Sequence, residues 1–192
     1  MDKRFLQIIF RRHFFQSFVV LFLSLICVSN FFSEPAFSKT GSMKFGSWKT
    51  VLTSKDEPGE PLIVSGTVFA PDGKTPAPGI TVYVYHTDAE GYYRKGANSS
   101  DNPRIKGTMI TNSEGKYEFR TIKPAPYPGG GAAAHIHYVL SGKGYSEQRD
   151  EVMFEGDPYL TPRVRSASSV RPLTRDKDGV WRCVYDIKLK QK

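Results

Sequence analysis

The residues best suited to chemistry are two histidines one residue apart, His135-Ile136-His137, which follow the segment Pro126-Tyr127-Pro128. Alternate side chains of a β-strand point to the same face, so both imidazoles would project to one side while Ile136 enters a core. Two imidazoles on one face are typical of a metal site, although a surface or hydrogen-bonded pair fits the tripeptide equally well. Other residues of the chain must therefore decide whether the two histidines bind a metal ion.

Residues 1–38 have the pattern of an export signal and are left out of the fold prediction. A basic start precedes an apolar run at residues 18–28, and the small residues Ala36 and Ser38 suit cleavage before Lys39. The apolar run is short for a stable membrane span. We expect an exported protein, periplasmic or extracellular, without stable membrane insertion after cleavage. An uncleaved anchor is the alternative.

Cleavage before Lys39 leaves 192 − 38 = 154 residues, which suits one domain with a core better than two. The sequence therefore predicts a single domain over residues 39–192. Its one cysteine, Cys183, cannot form a disulfide within the domain. The net charge of +8 is spread along the chain without a basic helix or an aromatic-basic repeat, so we expect no nucleic-acid partner. A homo-oligomer is left open.

Short β-type runs separated by turn signals make up the domain, at residues 62–69, 80–86, 108–111, 116–120, 135–140, 151–154 and 180–189. The last run has Cys183 on its apolar parity, which predicts a buried thiol. The turn residues 112–115 indicate a hairpin between the runs on either side. No segment has a sustained helical period. We therefore predict an all-β fold, an antiparallel β-sandwich with little helix beyond the N-terminal signal segment.

Several segments together resemble the intradiol ring-cleavage dioxygenases, in particular the protocatechuate 3,4-dioxygenase type. They follow the family's order between about residues 62 and 160: Val82 to Tyr93, Gly107 to Thr111, Gly115 to Tyr117, Thr121 to Pro128, His135 to His137 and Phe154 to Pro158. The resemblance implies the β-sandwich of that family and an enzyme that cleaves a catechol-type aromatic ring with O₂.

In that family a non-haem Fe(III) ion is held by two tyrosinates and two histidines. The resemblance implies four metal ligands in this chain: Tyr93, Tyr127, His135 and His137. Tyr92 is the alternative to Tyr93. Fe(III) is a hard ion that favours anionic oxygen, and coordination deprotonates a phenol. In the implied reaction a catechol binds the iron through both oxygens, and Tyr127 or Tyr93 accepts a catechol proton. O₂ then attacks the ring, and a cis,cis-muconate-type dicarboxylic acid forms without an organic cofactor.

The chain departs from the family's usual pattern around the expected substrate site. Ala132 stands where an arginine is usual, Glu151 where a glutamine is usual, and Tyr85 where a tryptophan is usual. The usual arginine stabilises negative charge that develops on the substrate ring. We hypothesise that Arg94 or Arg104 supplies this positive charge to the catalytic site. A negative Glu151 near the site would oppose the binding of anionic catechols unless it points away.

Other classes of protein share parts of this pattern. A copper–zinc superoxide dismutase also uses His-x-His on a β-sandwich, but it needs more histidines than this chain has after residue 38. A cupin requires a glutamate soon after His137 and a further histidine downstream, and the sequence has neither. His86 is interpreted as structural. The remaining alternative is a non-catalytic, transthyretin-like exported β-sandwich that keeps the fold, with or without the metal, and binds a ligand or carbohydrate at the cell envelope.

Overall fold

A computed structural model describes residues 46–97 and 99–192, which form a sandwich of two β-sheets. The predicted export signal at residues 1–38 lies outside the described residues. Within them the helical content is one short helix, α1 (Pro162–Arg165). No helix in this part of the chain is long and apolar enough to cross a membrane.

The chain crosses between the two sheets several times. In chain order they are β1 (Lys49–Val51), β2 (Pro61–Phe69), β3 (Thr81–His86), β4 (Ile105–Ile110), β5 (Lys116–Ile122), β6 (His135–Ser141), β7 (Gln148–Phe154), β8 (Val170–Arg171), β9 (Thr174–Arg175), β10 (Trp181–Val184) and β11 (Ile187–Lys188). One sheet has the order β1-β5-β2-β10-β9, with β11 also paired to β2. The other has the order β4-β3-β6-β7-β8 and carries both histidines of the predicted metal site.

The predicted β-sandwich with little helix is confirmed, and its longest pairings are antiparallel. These join β2 to β5, β3 to β4, β3 to β6 and β6 to β7. Four shorter pairings are parallel: β1 with β5, β8 with β7, and both β10 and β11 with β2. The first sheet is therefore mixed, whereas the second sheet is antiparallel where the metal site is predicted and has one parallel pair at its edge, between β7 and β8.

The core lies between the two sheets and is rich in aromatic side chains. Every second residue of β2 and β3 is buried, because alternate side chains enter this space. The Tyr138 ring of one sheet meets Tyr117 and Phe119 of the other edge to face, with ring centroids 6.0 Å and 6.2 Å apart. Each fully buried large apolar side chain contributes about 1.5–3 kcal/mol. Cys183 is 2% exposed, which confirms its predicted burial.

The predicted hairpin around residues 112–115 is wrong. β4 pairs with β3, whereas β5 pairs with β2, so the turn carries the chain from one sheet to the other. Thr111 anchors this crossing, because its hydroxyl donates to the carbonyl of Ala77 over 2.7 Å and accepts from the amide of Ile80 over 2.9 Å. A turn that suits a hairpin also suits a crossover when long-range contacts assign its two strands to different sheets.

Candidate metal centre

Four side chains meet beside the start of β6. Tyr93 Oη lies 2.6 Å from Tyr127 Oη and 2.8 Å from His137 Nε2. Tyr127 Oη lies 3.3 Å from His135 Nε2, and the two Nε2 atoms are 2.9 Å apart. These four residues are called the tyrosine–histidine cluster below. Their polar atoms form a closed ring of two oxygens and two nitrogens. Tyr93 comes from the loop after β3, Tyr127 from the loop after β5, and both histidines from the first residues of β6.

The cluster has too few protons for its contacts. His135 Nδ1 lies 2.6 Å from the carbonyl oxygen of Ala133 and must donate to it, so in the single-proton tautomer that can bind a metal ion Nε2 carries a lone pair. Each phenol brings one proton, and His137 Nε2 brings one at most. Two or three protons therefore serve four short contacts, and at least one contact has no proton between its two atoms. A cation between the four atoms resolves this conflict, because each can turn a lone pair toward it.

The backbone before β6 orients His135. The Ala133 carbonyl fixes the Nδ1 side of the ring, as described above. The amide of Ala134 donates to Asp157 Oδ2 over 2.9 Å, and Asp157 Oδ1 accepts from the amide of Tyr159 over 2.9 Å. Asp157 thus ties the residues before His135 to the loop that follows β7. Hydrogen bonds of this kind set the tautomer and direction of metal-binding histidines.

His137 lies between an aromatic ring and a carboxylate. Its imidazole stacks on the Tyr85 ring at a centroid distance of 4.7 Å, and its Nδ1 lies 4.0 Å from Glu151 Oε2. Burial, followed by the charges of His135 and Arg149, lowers the pKa of His137 to about 4. The ring is therefore neutral near pH 7, which is the form that binds a metal ion.

Tyr93 is fixed by both its ring and its backbone. The residue is 1% exposed, and its carbonyl accepts from the amide of Arg104 over 2.8 Å. Burial, followed by the hydrogen bond with Tyr127, raises the pKa of the Tyr93 phenol above its usual value. A phenolate at this position needs a positive charge beside it, and a bound metal ion would provide that charge.

Asp88 organises the loop that carries Tyr93. The Asp88 amide donates to the carbonyl of Tyr92, and the Tyr92 amide donates to Asp88 Oδ1, both over 2.9 Å. The Asp88 carbonyl accepts from the amide of Ala125 over 3.0 Å, which joins this loop to the segment before Tyr127. Tyr92 thus contributes its backbone to the loop, whereas Tyr93 contributes its hydroxyl to the cluster.

Gly91 allows the two tyrosine segments to approach each other. Its φ is +87°, and a Cβ built on it would lie 2.1 Å from the carbonyl oxygen of Pro126. Only glycine fits both conditions. The residues from Asp88 to Gly91 are typical of a turn, but their sequence does not reveal their part in assembling the site. The turn itself was recognisable from the sequence, but the contact with Pro126 depends on the tertiary structure.

The two arginines predicted to supply positive charge do not hydrogen-bond to the cluster within the described residues. Arg104 donates to both carboxylate oxygens of Glu57, over 2.8 Å and 2.7 Å, and lies 3.7 Å from Asp88. Its charge is thus balanced locally. Arg94 is exposed, and its backbone forms a bridge with Ala97. The assignment of either arginine to the catalytic site stays a prediction.

His86 lies in the interior, away from the cluster's hydrogen bonds. It is 0% exposed; its Nδ1 donates to the carbonyl of Thr87 over 2.7 Å, and its Nε2 lies 2.7 Å from the hydroxyl of Thr121. Burial lowers the pKa of His86 to about 4. Both ring nitrogens are used in hydrogen bonds, which agrees with the structural interpretation of this residue.

A cavity of about 210 Å³ opens beside the cluster. His135 and Glu151 lie in its wall, and Ala132, where the family usually has an arginine, lines it as well. His135, His137 and Glu151 also form a group whose potential ligand atoms all lie within 4.8 Å of one another. The arrangement thus combines a potential metal centre with an adjoining space for a small molecule.

Comparisons with known proteins agree with this geometry. A family model described as Dioxygenase matches residues 32–181. Catechol 1,2-dioxygenase 1 of Acinetobacter lwoffii is 33% identical over 147 residues, which cover 65% of this chain and 46% of that protein. Chlorocatechol 1,2-dioxygenase of Rhodococcus opacus is 30% identical over 173 residues, which cover 78% of this chain and 67% of that protein.

Solved structures show the same likeness. The structure of catechol 1,2-dioxygenase from Acinetobacter sp. ADP1, inhibited by bound mercury, has a TM-score of 0.61 at 26% identity. The match covers 77% of this chain and 59% of that one. The chain spans about half the length of the curated relatives it matches.

Proposed function

The chain belongs to the intradiol ring-cleavage dioxygenase family, and from this premise we propose that it cleaves a catechol-type aromatic ring with O₂. The bond that breaks joins the two hydroxyl-bearing carbons, and the product is a cis,cis-muconate-type dicarboxylic acid. One observation carries the proposal: two phenol oxygens and two imidazole nitrogens form a closed ring with contacts of 2.6–3.3 Å.

We propose that the tyrosine–histidine cluster holds non-haem Fe(III). The donor set fits, because two phenolates and two neutral imidazoles offer a hard trivalent ion two anionic oxygens and leave one net positive charge. The shortage of protons within the cluster and the neutral state of His137 support the same assignment. When bound, Fe(III) supplies the Lewis acidity that draws in both catechol oxygens and makes the ring reactive toward O₂.

Among the cluster residues, Tyr127 is the better candidate for the base that accepts a catechol proton at its Oη. Tyr93 is buried and anchored by its backbone, whereas Tyr127 is half-buried and lies in a loop. The residues that follow it, Gly129 to Gly131, all have positive φ. We therefore assign the role of base to the phenolate form of Tyr127, with Tyr93, His135 and His137 as the ligands that stay in place.

Export is part of the proposal and rests on residues 1–38 alone. Their basic start, apolar run and small residues before Lys39 suit a cleaved signal. N-terminal sequencing of the protein recovered from cells tests this step separately. A mature chain that starts at Lys39 supports export, and a chain that retains Met1 in the soluble cell fraction contradicts it.

Visible spectroscopy tests the proposed activity. Fe(III) bound by tyrosinates absorbs visible light by charge transfer, so the iron-loaded protein should be red to brown and should change colour when catechol is added without O₂. Admitting O₂ should then produce the dicarboxylic acid. A protein that stays colourless after reconstitution with iron contradicts the proposal. Colour without O₂ uptake across a panel of catechols and hydroxyquinols would favour the non-catalytic binding protein.

A further inference from the structure

The cavity beside the cluster has a wall of mixed character. Met153, Leu160 and Val164 give it apolar surface, and the small residues Gly131, Ala132 and Ala133 line it together with His135. At about 210 Å³ it is smaller than the cavities that bind drug-sized molecules, and it suits a single substituted ring. A catechol bound at the cluster would therefore direct its ring substituent into this space.

One charged side chain of the described residues lines this cavity, and it is Glu151. Glu151 pairs with His137 across β6 and β7, and Met153 pairs with His135, so all four side chains lie on the same face of the sheet. The Glu151 side chain is 42% exposed, and its Oε2 lies 4.0 Å from His137 Nδ1. The carboxylate is thus free to act on a molecule in the cavity.

The neighbouring arginines do not neutralise Glu151. Arg149 lies on the same face of β7 as Glu151, two residues away in the direction opposite to Met153, and it pairs with Val139 of β6. Its guanidinium lies 3.6 Å from Glu147. Arg165 donates through Nε to the carbonyl of Leu160 over 3.1 Å and does not line the cavity. Glu151 is therefore the one carboxylate in the cavity wall among the described residues, and no lysine or arginine accompanies it there.

We propose that Glu151 is a specificity-determining residue that restricts the site to monocyclic catechols with an uncharged or cationic ring substituent and disfavours those with a ring carboxylate. This inference rests on the proposed function. A second carboxylate placed in the cavity would face Glu151 with no basic side chain in the wall. The two like charges would repel each other, and solvent screens this repulsion only in part because the Glu151 side chain is 42% exposed. A cationic substituent would be attracted instead.

Binding of inert phenols tests the inference without turnover. Isothermal titration calorimetry on the iron-loaded full chain would compare 4-methylphenol, tyramine and 4-hydroxybenzoate, which are neutral, cationic and anionic. We expect 4-hydroxybenzoate to bind at least about tenfold more weakly than 4-methylphenol. In Glu151→Gln this gap should shrink to about threefold or less, and the advantage of tyramine should fall. Glu114→Gln is the matched control, because it removes the same charge from an exposed turn outside the cavity.

The outcomes separate this inference from the proposed function. An unchanged gap in Glu151→Gln, or no binding of any of the three phenols to the wild-type chain, overturns the role of Glu151. O₂ uptake with 4-methylcatechol, dopamine and protocatechuate then tests turnover. Failure of all three catechols with the expected binding pattern contradicts the proposed activity alone. Uptake with all three at equal kcat/KM, unaffected by Glu151→Gln, contradicts the specificity alone.

Discussion

The carbonyl oxygen of Pro126 occupies the place that a side chain on Gly91 would fill, 2.1 Å from the position of a Cβ. This contact joins the loop that carries Tyr93 to the segment that carries Tyr127. The two phenol oxygens lie 2.6 Å apart as a result. The geometry of the tyrosine–histidine cluster therefore depends on a residue without a side chain.

Gly91→Ala should damage both stability and metal binding. The added methyl meets a backbone atom and the residue has a φ of +87°, so we expect a loss of about 2–4 kcal/mol in unfolding free energy and at least tenfold weaker iron binding. Urea unfolding and iron titration measure the two effects. Gly96→Ala is the control, because its φ is +68° but no atom lies within 4 Å of the Cβ position. Equal effects of the two substitutions would contradict the role of the Pro126 contact.

Neighbouring tyrosines allow a matched test of the ligand assignment. Tyr93→Phe should weaken and shift the visible charge-transfer band and lower iron affinity by about 10–100-fold, because a phenolate ligand is lost. Tyr92→Phe should leave the band in place, since Tyr92 contacts Asp88 through its backbone. Absorption spectra of both variants after iron loading measure the difference. A normal band in Tyr93→Phe together with a lost band in Tyr92→Phe would reverse the assignment.

The two arginines near the site should differ in what they contribute. The guanidinium of Arg104 is held by Glu57, so Arg104→Ala should lower the free energy of unfolding by about 1 kcal/mol and change kcat/KM less than twofold. Arg94 is exposed and follows Tyr93 directly, so Arg94→Ala should lower kcat/KM for catechol about tenfold and Arg94→Lys should restore part of it. Steady-state O₂ uptake and urea unfolding distinguish the two. If Arg94→Ala and Arg104→Ala both keep full kcat/KM, neither arginine replaces the one missing at Ala132.

Local sequence patterns were enough to predict the strand that carries the histidines. The parity of His135-Ile136-His137 requires both imidazoles on one face, and Ile136 is fully buried behind them. The same reasoning succeeded for Cys183. The convergence of Tyr93 and Tyr127 on these histidines could not be derived from spacing, since it depends on loops after two strands in different sheets. Resemblance to a family, not periodicity, predicted those two residues.

Strand partners were beyond the reach of sequence patterns. The run at residues 180–189 was predicted as one strand, but it forms β10 and β11, both parallel to β2. Asp186 lies between β10 and β11, and its side chain, in place of a backbone carbonyl, accepts a hydrogen bond from the amide of Thr67 in β2 over 2.8 Å. Alternation of apolar residues predicts which face of a strand is buried. It carries no information on whether the neighbouring strand runs parallel or antiparallel, because that is decided by the connections and the core.

Stability should fall in mildly acidic solution because of His86. Burial lowers its pKa in the folded chain to about 4, against about 6.5 when unfolded, so the unfolded chain binds more protons between these values. The contribution of neutral, buried His86 to the free energy of unfolding is complete above pH 6.5 and is lost as the pH falls toward 4. Between pH 7.5 and pH 5 we expect a loss of about 2 kcal/mol from this residue. Urea unfolding followed by tryptophan fluorescence at several pH values measures it.

The variant His86→Gln isolates this contribution. Glutamine does not titrate, so the pH dependence of its unfolding free energy should be flatter by about 2 kcal/mol over the same range, although the variant should be less stable than the wild type at pH 7.5. His137, whose pKa is also lowered to about 4, is present in both proteins, so its effect cancels in the difference. Parallel pH profiles of the two proteins would show that His86 does not cause the acid sensitivity.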